Sequence, residues 1–276
     1  MSNDPKRLFD LSDKVAVVTG ASGVLGGCIC RALVGAGVKV GVMDIRPEPT
    51  EALVGELKKA GGDALALGGN VLERAALERE RGAVLKKWGR VDFLLNYAGG
   101  NNPKATTSPE QSFFDIPKEA LELCTSLNLT GTVLPSQVFG KVMVEQKEGV
   151  ILNVSSMNAF RPLTRILAYS AAKAAVTNFT QWLAVHMAQN YSPKIRVNAI
   201  APGFFLTDQN RYLLTDKATG KRTARGEQII GHTPIGRYGE PEDLTGTVLF
   251  LLSPGAAFIT GVVIPIDGGF SAFSGV

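Results

Sequence analysis

The sequence has few of the residues that build metal sites or disulfide frameworks. Its 276 residues include three cysteines and two histidines. Cys28, Cys30 and Cys124 have neither the spacing of metal ligands nor the even number of a disulfide framework. These scarcities argue against a disulfide-rich secreted domain and a cysteine-histidine metal centre, and they favour a reducing compartment.

Long apolar runs and strong charge are missing as well. No stretch approaches the roughly 18 apolar residues that would cross a bilayer. The first residues, MSNDPKR, are polar, so we expect a soluble cytoplasmic protein without a leader or membrane contact. The formal net charge is +4 and the 29 basic residues are spread along the chain, so nucleic acid is not an expected partner.

Apolar β-branched segments alternate with helix-like segments along the chain. The expected strands are Lys14–Thr19, Val38–Asp44, Ala64–Leu67, Val91–Asn96, Gly149–Ser156, Lys194–Ala201 and Val262–Ile266. The expected helices are a segment ending near Ala36, then Glu51–Ala60, Glu73–Trp88, Lys118–Gln146 with breaks near Gly131 and Pro135, Ala168–Asn190 and Glu240–Leu252. This alternation predicts an α/β, single-domain, Rossmann-type doubly wound parallel sheet of about seven strands, with helices on both faces.

Residues 204–238 depart from this alternation. They are polar, basic and glycine-bearing, and they follow a strand end. Ligands bind parallel sheets at the carboxyl ends of the strands. We therefore expect residues 204–238 to form a mobile substrate lid within the single domain 1–276.

A glycine-rich turn follows the first strand. The turn, TGASGVLG at 19–26, leads into a helix, and in that context glycines let a pyrophosphate approach the backbone while the helix N-terminus supplies N–H donors. Asp44 stands 24 residues beyond Gly20, at the end of the second strand, where a carboxylate binds ribose hydroxyls. It would also repel a 2′-phosphate, which favours NAD over NADP, although Arg46 could soften that preference.

Tyr169 and Lys173 lie four residues apart in an alanine-rich segment that favours a helix. At this spacing they share one helix face. A nearby ammonium is expected to lower the pKa of the phenol toward the range that a general base needs. Ser156, thirteen residues before Tyr169 and at a strand end, can hydrogen-bond a carbonyl or alcohol oxygen.

Taken together, these motifs resemble those of the short-chain dehydrogenase/reductase family from about Leu11 to the C-terminus. The matching pieces are TGASGVLG (19–26), NYAG (96–99), NLTG (128–131), Ser156, YSAAK (169–173), PGFFLT (202–207) and DGG (267–269). The resemblance implies that Tyr169 is the acid/base, Ser156 orients the reacting oxygen, Lys173 binds the nicotinamide ribose, and Asn128 completes a water-linked proton relay.

The resemblance also implies an NAD (NAD+/NADH) cofactor. Its implied contacts, besides Tyr169 and Lys173, are Gly20, Ser22, Gly23, Val24, Leu25, Gly26, Asp44, Ile45, Asn70, Val71, Asn96, Ala98, Gly99, Pro202, Gly203, Phe205 and Thr207. The nicotinamide carboxamide would meet Phe205 or Thr207. Three positions depart from the family pattern: Val24 replaces the second loop glycine, Asn70 an aspartate, and Tyr97 an asparagine.

Pocket and lid segments resemble the D-mannonate oxidoreductase (fructuronate reductase) branch of the family. They are residues 98–107, 155–160, 201–211, 232–237 and 268–276. The substrate expected from this resemblance is a sugar acid, whose carboxylate needs a cationic or multiply donating partner. Arg161 is the first choice and Arg211 the second, and the other candidates are Lys104 and Arg165. The amides expected around the hydroxyls are Asn101, Asn102, Asn158 and Asn210.

Other interpretations remain open from the sequence. The substrate could be a gluconate-type acid, a polyol or a 3-oxoacyl thioester, and a non-catalytic nucleotide-sensing protein could share the fold. The family tendency and the apolar tail GFSAFSGV suggest a homotetramer. We expect His186 and Trp182 to serve packing, and Met157 to form an apolar pocket wall, while a surface role for His232 is as plausible as a pocket role.

Overall fold

A seven-stranded sheet forms the centre of the computed structural model, which describes residues 4–207, 211–217 and 219–275. The strands are β1 (Val15–Thr19), β2 (Lys39–Asp44), β3 (Ala64–Gly68), β4 (Phe93–Asn96), β5 (Gly149–Val154), β6 (Ile195–Pro202) and β7 (Val263–Ile266). All neighbours are parallel, in the order β3-β2-β1-β4-β5-β6-β7. The predicted sheet is confirmed, and its strand limits differ from the expected ones by at most two residues.

Helices connect the strands and cover both faces of the sheet. They are α1 (Pro5–Leu8), α2 (Val24–Gly35), α3 (Pro47–Lys59), α4 (Arg74–Trp88), α5 (Lys118–Thr125), α6 (Gly131–Gln146), α7 (Leu167–Asn190), α8 (Arg211–Leu214), α9 (Ala224–Gly231) and α10 (Thr245–Leu252). Short 3-10 helices are Pro103–Ala105, Phe113–Asp115, Met157–Ala159, Pro241–Leu244 and Pro254–Ala256.

Successive side chains of the strands face two separate apolar cores. On β1, Ala16 and Val18 pack into the core under α2, α3 and α10, whereas Val15 and Val17 pack into the core under α4, α6 and α7. This follows from the two-residue period of a strand. Since both faces are covered, all five β1 residues are buried, which explains why β1 reads as a continuous apolar run.

Several element limits differ from those expected. Helix α3 begins at Pro47 rather than Glu51, because proline is tolerated in a first turn, where the N–H groups lack helical partners. The break in Lys118–Gln146 is a π-helical segment, Ser126–Thr130, directly before Gly131. Pro135 lies inside α6 and does not interrupt it. The residues from Pro241 to Leu244, expected to belong to the last helix, form a 3-10 turn.

The segment 204–238, expected as a loop-like lid, contains the two helices α8 and α9. Ile229 of α9 and Leu214 of α8 are buried in an apolar cluster with Met157 and Phe270. The described part of this segment therefore packs on the body of the protein. Its role as a lid stays a prediction.

A buried arginine joins α10 to the sheet. Arg196 of β6 donates hydrogen bonds to the main-chain carbonyls of Leu251 at 2.8 Å and Ser253 at 3.2 Å. The last carbonyls of a helix have no partner within the helix, and a cation there also meets the negative end of the helix dipole. These hydrogen bonds hold the C-terminal end of α10 against β6, the strand that pairs with β7.

No helix in the described residues is both long and apolar enough to cross a membrane. Within the same residues, no group of three or more histidine, cysteine and acidic side chains is placed to hold a metal ion. The three cysteines carry free, buried thiols.

Candidate active site

The turn between β1 and α2 brings main-chain atoms unusually close together. Gly20 has a φ of +62°, and a Cβ atom there would lie 2.7 Å from the main-chain nitrogen of Ala98. A Cβ atom at Gly26 would lie 2.5 Å from the carbonyl oxygen of Gly20. Both positions therefore require glycine. Helix α2 starts after Gly23 without a side-chain cap, so its first N–H groups are available to an anion.

Asp44, at the end of β2, anchors a small polar network beside this turn. Its carboxylate accepts hydrogen bonds from the main-chain N–H of Ser22 at 3.2 Å and from Nε of Arg46 at 3.1 Å. The Arg46 guanidinium also donates to the Ser22 hydroxyl at 2.9 Å. Burial alone would raise the pKa of Asp44, but the hydrogen bonds from Arg46 and Ser22 outweigh it and lower the pKa. The carboxylate is ionised at neutral pH.

A cleft of about 490 Å³ runs from this network to α7. The predicted cofactor residues that line it are Gly20, Gly23, Val24, Leu25, Gly26, Asp44, Ile45, Asn70, Val71, Ala98, Gly99, Tyr169, Lys173 and Thr207. Its lining fits a dinucleotide: glycine backbone and an uncapped helix N-terminus are suited to phosphates, and a carboxylate at the strand edge is suited to ribose hydroxyls.

Five predicted cofactor residues lie outside this lining. Ser22 contacts it indirectly, through Asp44 and Arg46. Asn96 is buried and its side-chain amide donates to Asn153 at 2.9 Å and to Ser136 at 3.1 Å, so it holds strands together below the cleft. The remaining three are Pro202, Gly203 and Phe205.

Those three residues follow the end of β6. Pro202 belongs to that strand, and Gly203 lines a neighbouring cavity. Phe205 is buried and pairs by a β-bridge with Gly239. Of the two residues expected at the nicotinamide, Thr207 therefore lines the cleft and Phe205 does not.

Asn128 sits in the π-helical segment between α5 and α6. Its side-chain amide donates to the carbonyls of Gly100 and Cys124, both at 2.8 Å, and its Oδ1 accepts from the Gly100 N–H at 3.1 Å. A π-helical segment often marks a functional position, and here it turns Asn128 toward the loop after β4. A Cβ atom at Gly99 would lie 2.7 Å from Asn128 Oδ1 and 3.3 Å from Lys173 Nζ, so this loop packs tightly on the predicted catalytic residues.

Tyr169 and Lys173 occupy adjacent turns of α7, as predicted. The Lys173 ammonium donates to the carbonyl of Val154 at 2.7 Å and lies 5.6 Å from the centroid of the Tyr169 ring. Burial lowers the pKa of Lys173 from 10.5 to about 8. Ser156 lies two residues after the end of β5, and its hydroxyl accepts a hydrogen bond from the N–H of Asn158 at 3.3 Å.

The pKa of Tyr169 differs from the expected direction. Burial raises it, and interaction with the Ser156 hydroxyl only partly opposes that effect. The net direction is therefore opposite to the fall in pKa that the sequence predicts. The physical reason is that the desolvation of the phenolate outweighs the favourable contacts around it, while the Lys173 ammonium is directed to Val154.

A second cavity of about 210 Å³ adjoins the cleft. Tyr169, Thr207 and Gly100 line both spaces. The other residues lining the second cavity are Asn101, Pro103, Ser156, Met157, Asn158, Leu163, Ile166, Gly203, Phe204, Leu214 and Arg225. The predicted proton-transfer residue thus stands at the junction of the two spaces. We call the smaller one the substrate cavity.

Some of the predicted substrate residues line the substrate cavity and others do not. Asn101 and Asn158 line the substrate cavity, and Met157 forms part of its wall. Arg161 is exposed and donates to the carbonyl of Ser271 at 3.3 Å instead. Arg211 is exposed at the start of α8, outside the lining.

The secondary candidates also lie away from the described lining. Lys104 and Arg165 are exposed. Asn102 caps the 3-10 turn Pro103–Ala105 by accepting from the Lys104 N–H. Asn210 falls outside the residues that the structure describes.

Arg225 lines the substrate cavity but was not predicted from the sequence. It lies on α9, about 70 residues after Ser156 in a polar segment that also carries Arg211, Lys217, Lys221 and Arg222. Because several basic residues lie close together in this segment, the sequence gives no reason to choose Arg225 among them. The signal in the sequence that could have found it is a helix over residues 224–231, with Thr223 as its N-cap.

The fold, the dinucleotide-shaped cleft and the Ser156–Tyr169–Lys173 arrangement define a nicotinamide-dependent oxidoreductase. A family model described as short chain dehydrogenase matches residues 14–218. The chain belongs to this family.

Individual proteins support the assignment. The chain is 46% identical to Uncharacterized oxidoreductase UxuB of Bacillus subtilis, over 97% of this chain and 98% of that protein. It is similar to the crystal structure of a candidate D-mannonate oxidoreductase from Haemophilus influenza with bound NAD, with a TM-score of 0.91, 45% identity and coverage of 97% and 98%. The 5-keto-D-gluconate 5-reductase of Escherichia coli is 32% identical, over 95% of this chain and 97% of that protein.

Proposed function

We propose that this protein is an NAD(H)-dependent oxidoreductase that interconverts D-mannonate and D-fructuronate. The observation that carries the proposal is the position of Tyr169, which lines both the dinucleotide-shaped cleft and the polar substrate cavity. A group at that junction can exchange a proton with an oxygen whose carbon faces the cleft. The similar Haemophilus protein, named for D-mannonate and solved with NAD, supports the choice of substrate.

The proposed chemistry divides between the bound dinucleotide and the side chains. A dinucleotide held in the cleft would supply the hydride chemistry, which interconverts a secondary alcohol and a ketone. The Tyr169 phenol takes the hydroxyl proton during oxidation and returns it during reduction. The Ser156 hydroxyl orients the same oxygen, and the Lys173 ammonium provides a cation beside the cleft at neutral pH.

The raised pKa of Tyr169 keeps its phenol protonated at neutral pH. A protonated phenol can donate to a ketone oxygen in the reductive direction. Oxidation needs the phenolate, and its rate is expected to rise with pH. The same argument applies to any ketone and alcohol pair that this site accepts.

The proposed preference for NAD rests on Asp44. Its ionised carboxylate lies at the strand edge where the adenosine ribose is expected, and a 2′-phosphate there would meet a negative charge. Arg46 is the opposing influence, but its guanidinium is engaged by Asp44 and Ser22. We therefore propose NAD(H) as the working cofactor.

The substrate cavity favours a small hydroxylated anion. Its volume of about 210 Å³ lies below the roughly 300–1,000 Å³ of sites for drug-sized ligands, which argues against bulky ketones. Side-chain amides and a guanidinium line it, which suits hydroxyl and carboxylate groups. The alternatives kept from the sequence are a gluconate-type acid, a polyol and a 3-oxoacyl thioester.

The test is a substrate panel with purified protein. D-mannonate with NAD+ and D-fructuronate with NADH are compared with D-gluconate, D-mannitol and a 3-oxoacyl thioester, by the absorbance of NADH. The proposal expects the highest kcat/KM for the mannonate and fructuronate pair. A higher value for any other member of the panel would replace the proposed substrate.

We also propose a homotetramer in the cytoplasm. The tail supports this less than its sequence suggested, because Phe270 is buried within its own chain and Phe273 lies against His232. Exposed apolar side chains elsewhere, among them Trp182 on α7 and Phe258 before β7, support an interface more directly. Light scattering at micromolar concentration and cell fractionation would test the two statements.

A further inference from the structure

Arg225 is the one cation among the described residues that line the substrate cavity. It is the second residue of α9 and is partly buried. Its neighbours in the lining include Ser156 and Tyr169. A positive charge therefore faces the space in which the reacting carbon is expected.

This guanidinium has no anionic partner within the parts of the chain that the structure describes. Other arginines nearby are paired: Arg222 lies 3.6 Å from Glu227, and Arg237 lies 2.6 Å from Asp243. Burial, together with the charge of Arg165, lowers the pKa of Arg225. Partly burying a cation without a partner costs free energy, so the site is prepared for an anion.

The helix that carries Arg225 is held firmly. The Thr223 hydroxyl caps α9 by accepting from the N–H of Gly226 at 3.1 Å. A Cβ atom at Gly226 would lie 2.4 Å from the carbonyl oxygen of Leu214, which shows how closely α9 approaches α8. Ile229 anchors the same helix in the apolar cluster with Met157. The position of Arg225 is therefore set by packing.

Asn158 completes the polar part of the cavity. It is 5% exposed, and its side-chain amide has no hydrogen-bond partner among the described residues, whereas its main-chain N–H is bonded to Ser156. Asn158 lines the cavity, so its side-chain amide is open to a ligand there. It offers two N–H donors and one acceptor to a polyhydroxylated ligand.

We propose that Arg225 binds the carboxylate of the substrate, and that Asn158 binds its hydroxyl groups. This inference rests on the proposed function, since it assumes a sugar-acid substrate. It assigns the carboxylate to a residue other than Arg161 and Arg211. The planar guanidinium can hold a carboxylate by two parallel hydrogen bonds, which would fix the orientation of the acid relative to Tyr169.

The test compares a charged with an uncharged substrate in four variants, among them Arg161→Gln, which removes the arginine expected from the sequence. Arg225→Gln removes the charge, Arg225→Lys keeps it without the planar fork, and Arg222→Gln removes a cation of the same segment that does not line the cavity. KM and kcat are measured for D-mannonate and for D-mannitol. NADH binding and thermal unfolding are measured alongside, to show that each variant folds.

The expected result is selective for the acid. Arg225→Gln should raise KM for D-mannonate by about 10–100-fold, in line with the loss of a charge-assisted hydrogen bond, with less than about twofold change for D-mannitol. Arg225→Lys should fall between wild type and Arg225→Gln, and Arg222→Gln should match wild type. Equal changes for acid and polyol, or the selective effect in Arg161→Gln instead, would overturn the inference.

Failure of the proposed function would be recognised separately. If the wild-type protein turns over D-mannonate but Arg225→Gln keeps its KM, the carboxylate assignment falls and the proposed function stands. If the wild-type protein turns over no sugar acid, the proposed function falls. D-gluconate is then titrated into the complex with NADH, followed by NADH fluorescence. Binding that weakens in Arg225→Gln supports the assignment, and absence of binding to wild type overturns it.

Discussion

The ammonium of Lys173 lies 5.6 Å from the centre of the Tyr169 ring, one helical turn away on α7. The surrounding structure buries both groups, and burial favours the neutral form of each. The pKa of the phenol therefore rises, and that of the ammonium falls to about 8. At neutral pH the pair is a phenol beside a cation. This is the protonation state that can give a proton to a ketone.

Tyr169→Phe should remove turnover and leave cofactor binding nearly unchanged. The substitution keeps the ring that lines the cleft and deletes the hydroxyl that exchanges the proton. General acid–base catalysis contributes roughly 10²–10⁴-fold, so kcat should fall by at least about a hundredfold. NADH fluorescence titration measures the binding. Retention of a tenth of wild-type kcat would show that another group transfers the proton.

Lys173→Met should make the protein inactive but more stable at pH 7. Burial lowers the pKa of Lys173 from 10.5 to about 8, which corresponds to a cost of about 3 kcal/mol for the charged form. The loss of the hydrogen bond to Val154 removes about 1 kcal/mol of that gain. Urea unfolding should therefore give a free energy of unfolding higher by roughly 1–3 kcal/mol.

The difference in stability between Lys173→Met and wild type should depend on pH. From about pH 8 to 10.5 the unfolded chain binds more protons at Lys173 than the folded chain does, so this group makes wild-type stability rise with pH. The advantage of Lys173→Met should be complete below pH 8 and should shrink toward pH 10.5. A variant less stable than wild type at pH 7 would contradict the assigned cost of burial.

The sequence was sufficient to predict the sheet because its strands are short apolar runs set between longer helical segments. It was also sufficient for the glycine turn, Asp44 and the Tyr169–Lys173 pair, since these depend on local spacing. Their contacts could not be predicted so well. Asn96 lies outside the lining of the cleft because folding brings its side chain to Asn153 and Ser136 instead.

Segment 204–238 shows the same limit more clearly. Its polar composition indicated a loop, but α9 buries Ile229 and Ile230 and so has an apolar face. Which of several basic residues faces the cavity depends on how α9 packs against α8 and Met157. That packing is a tertiary property, and so Arg225 was missed while Arg161, close to Ser156 in sequence, was chosen.

Gly26→Ala should prevent tight cofactor binding, whereas Gly27→Ala should not. A methyl group at Gly26 would lie 2.5 Å from the carbonyl oxygen of Gly20, so the phosphate turn must shift. At Gly27 the nearest atom is the flexible end of Arg31, at 3.4 Å. Because alanine is favoured over glycine within a helix by about 1 kcal/mol, Gly27→Ala should be as stable as wild type or more so. Equal NADH affinity in the two variants would contradict the proposed phosphate site.

Asp44→Ala should narrow the gap between NADH and NADPH by about tenfold or more, equivalent to about 1.4 kcal/mol in relative binding. The substitution removes the charge that opposes a 2′-phosphate. It also removes the acceptor of the hydrogen bond from Arg46 Nε. The Arg46 guanidinium can then donate to the 2′-phosphate of NADPH instead. Two effects therefore act in the same direction, and Arg46→Ala separates them.

With Arg46→Ala, the carboxylate of Asp44 keeps its bond from the Ser22 N–H but loses the neighbouring cation. NADPH should then be used less well than by wild type, relative to NADH. The double variant should lie between the two single ones, since it lacks both the repelling and the attracting charge. The measurement is kcat/KM for both cofactors with one substrate at fixed ionic strength, because exposed charges are screened by salt. A wild-type protein that uses NADPH better than NADH, or an unchanged ratio in Asp44→Ala, would show that Asp44 does not set the cofactor preference.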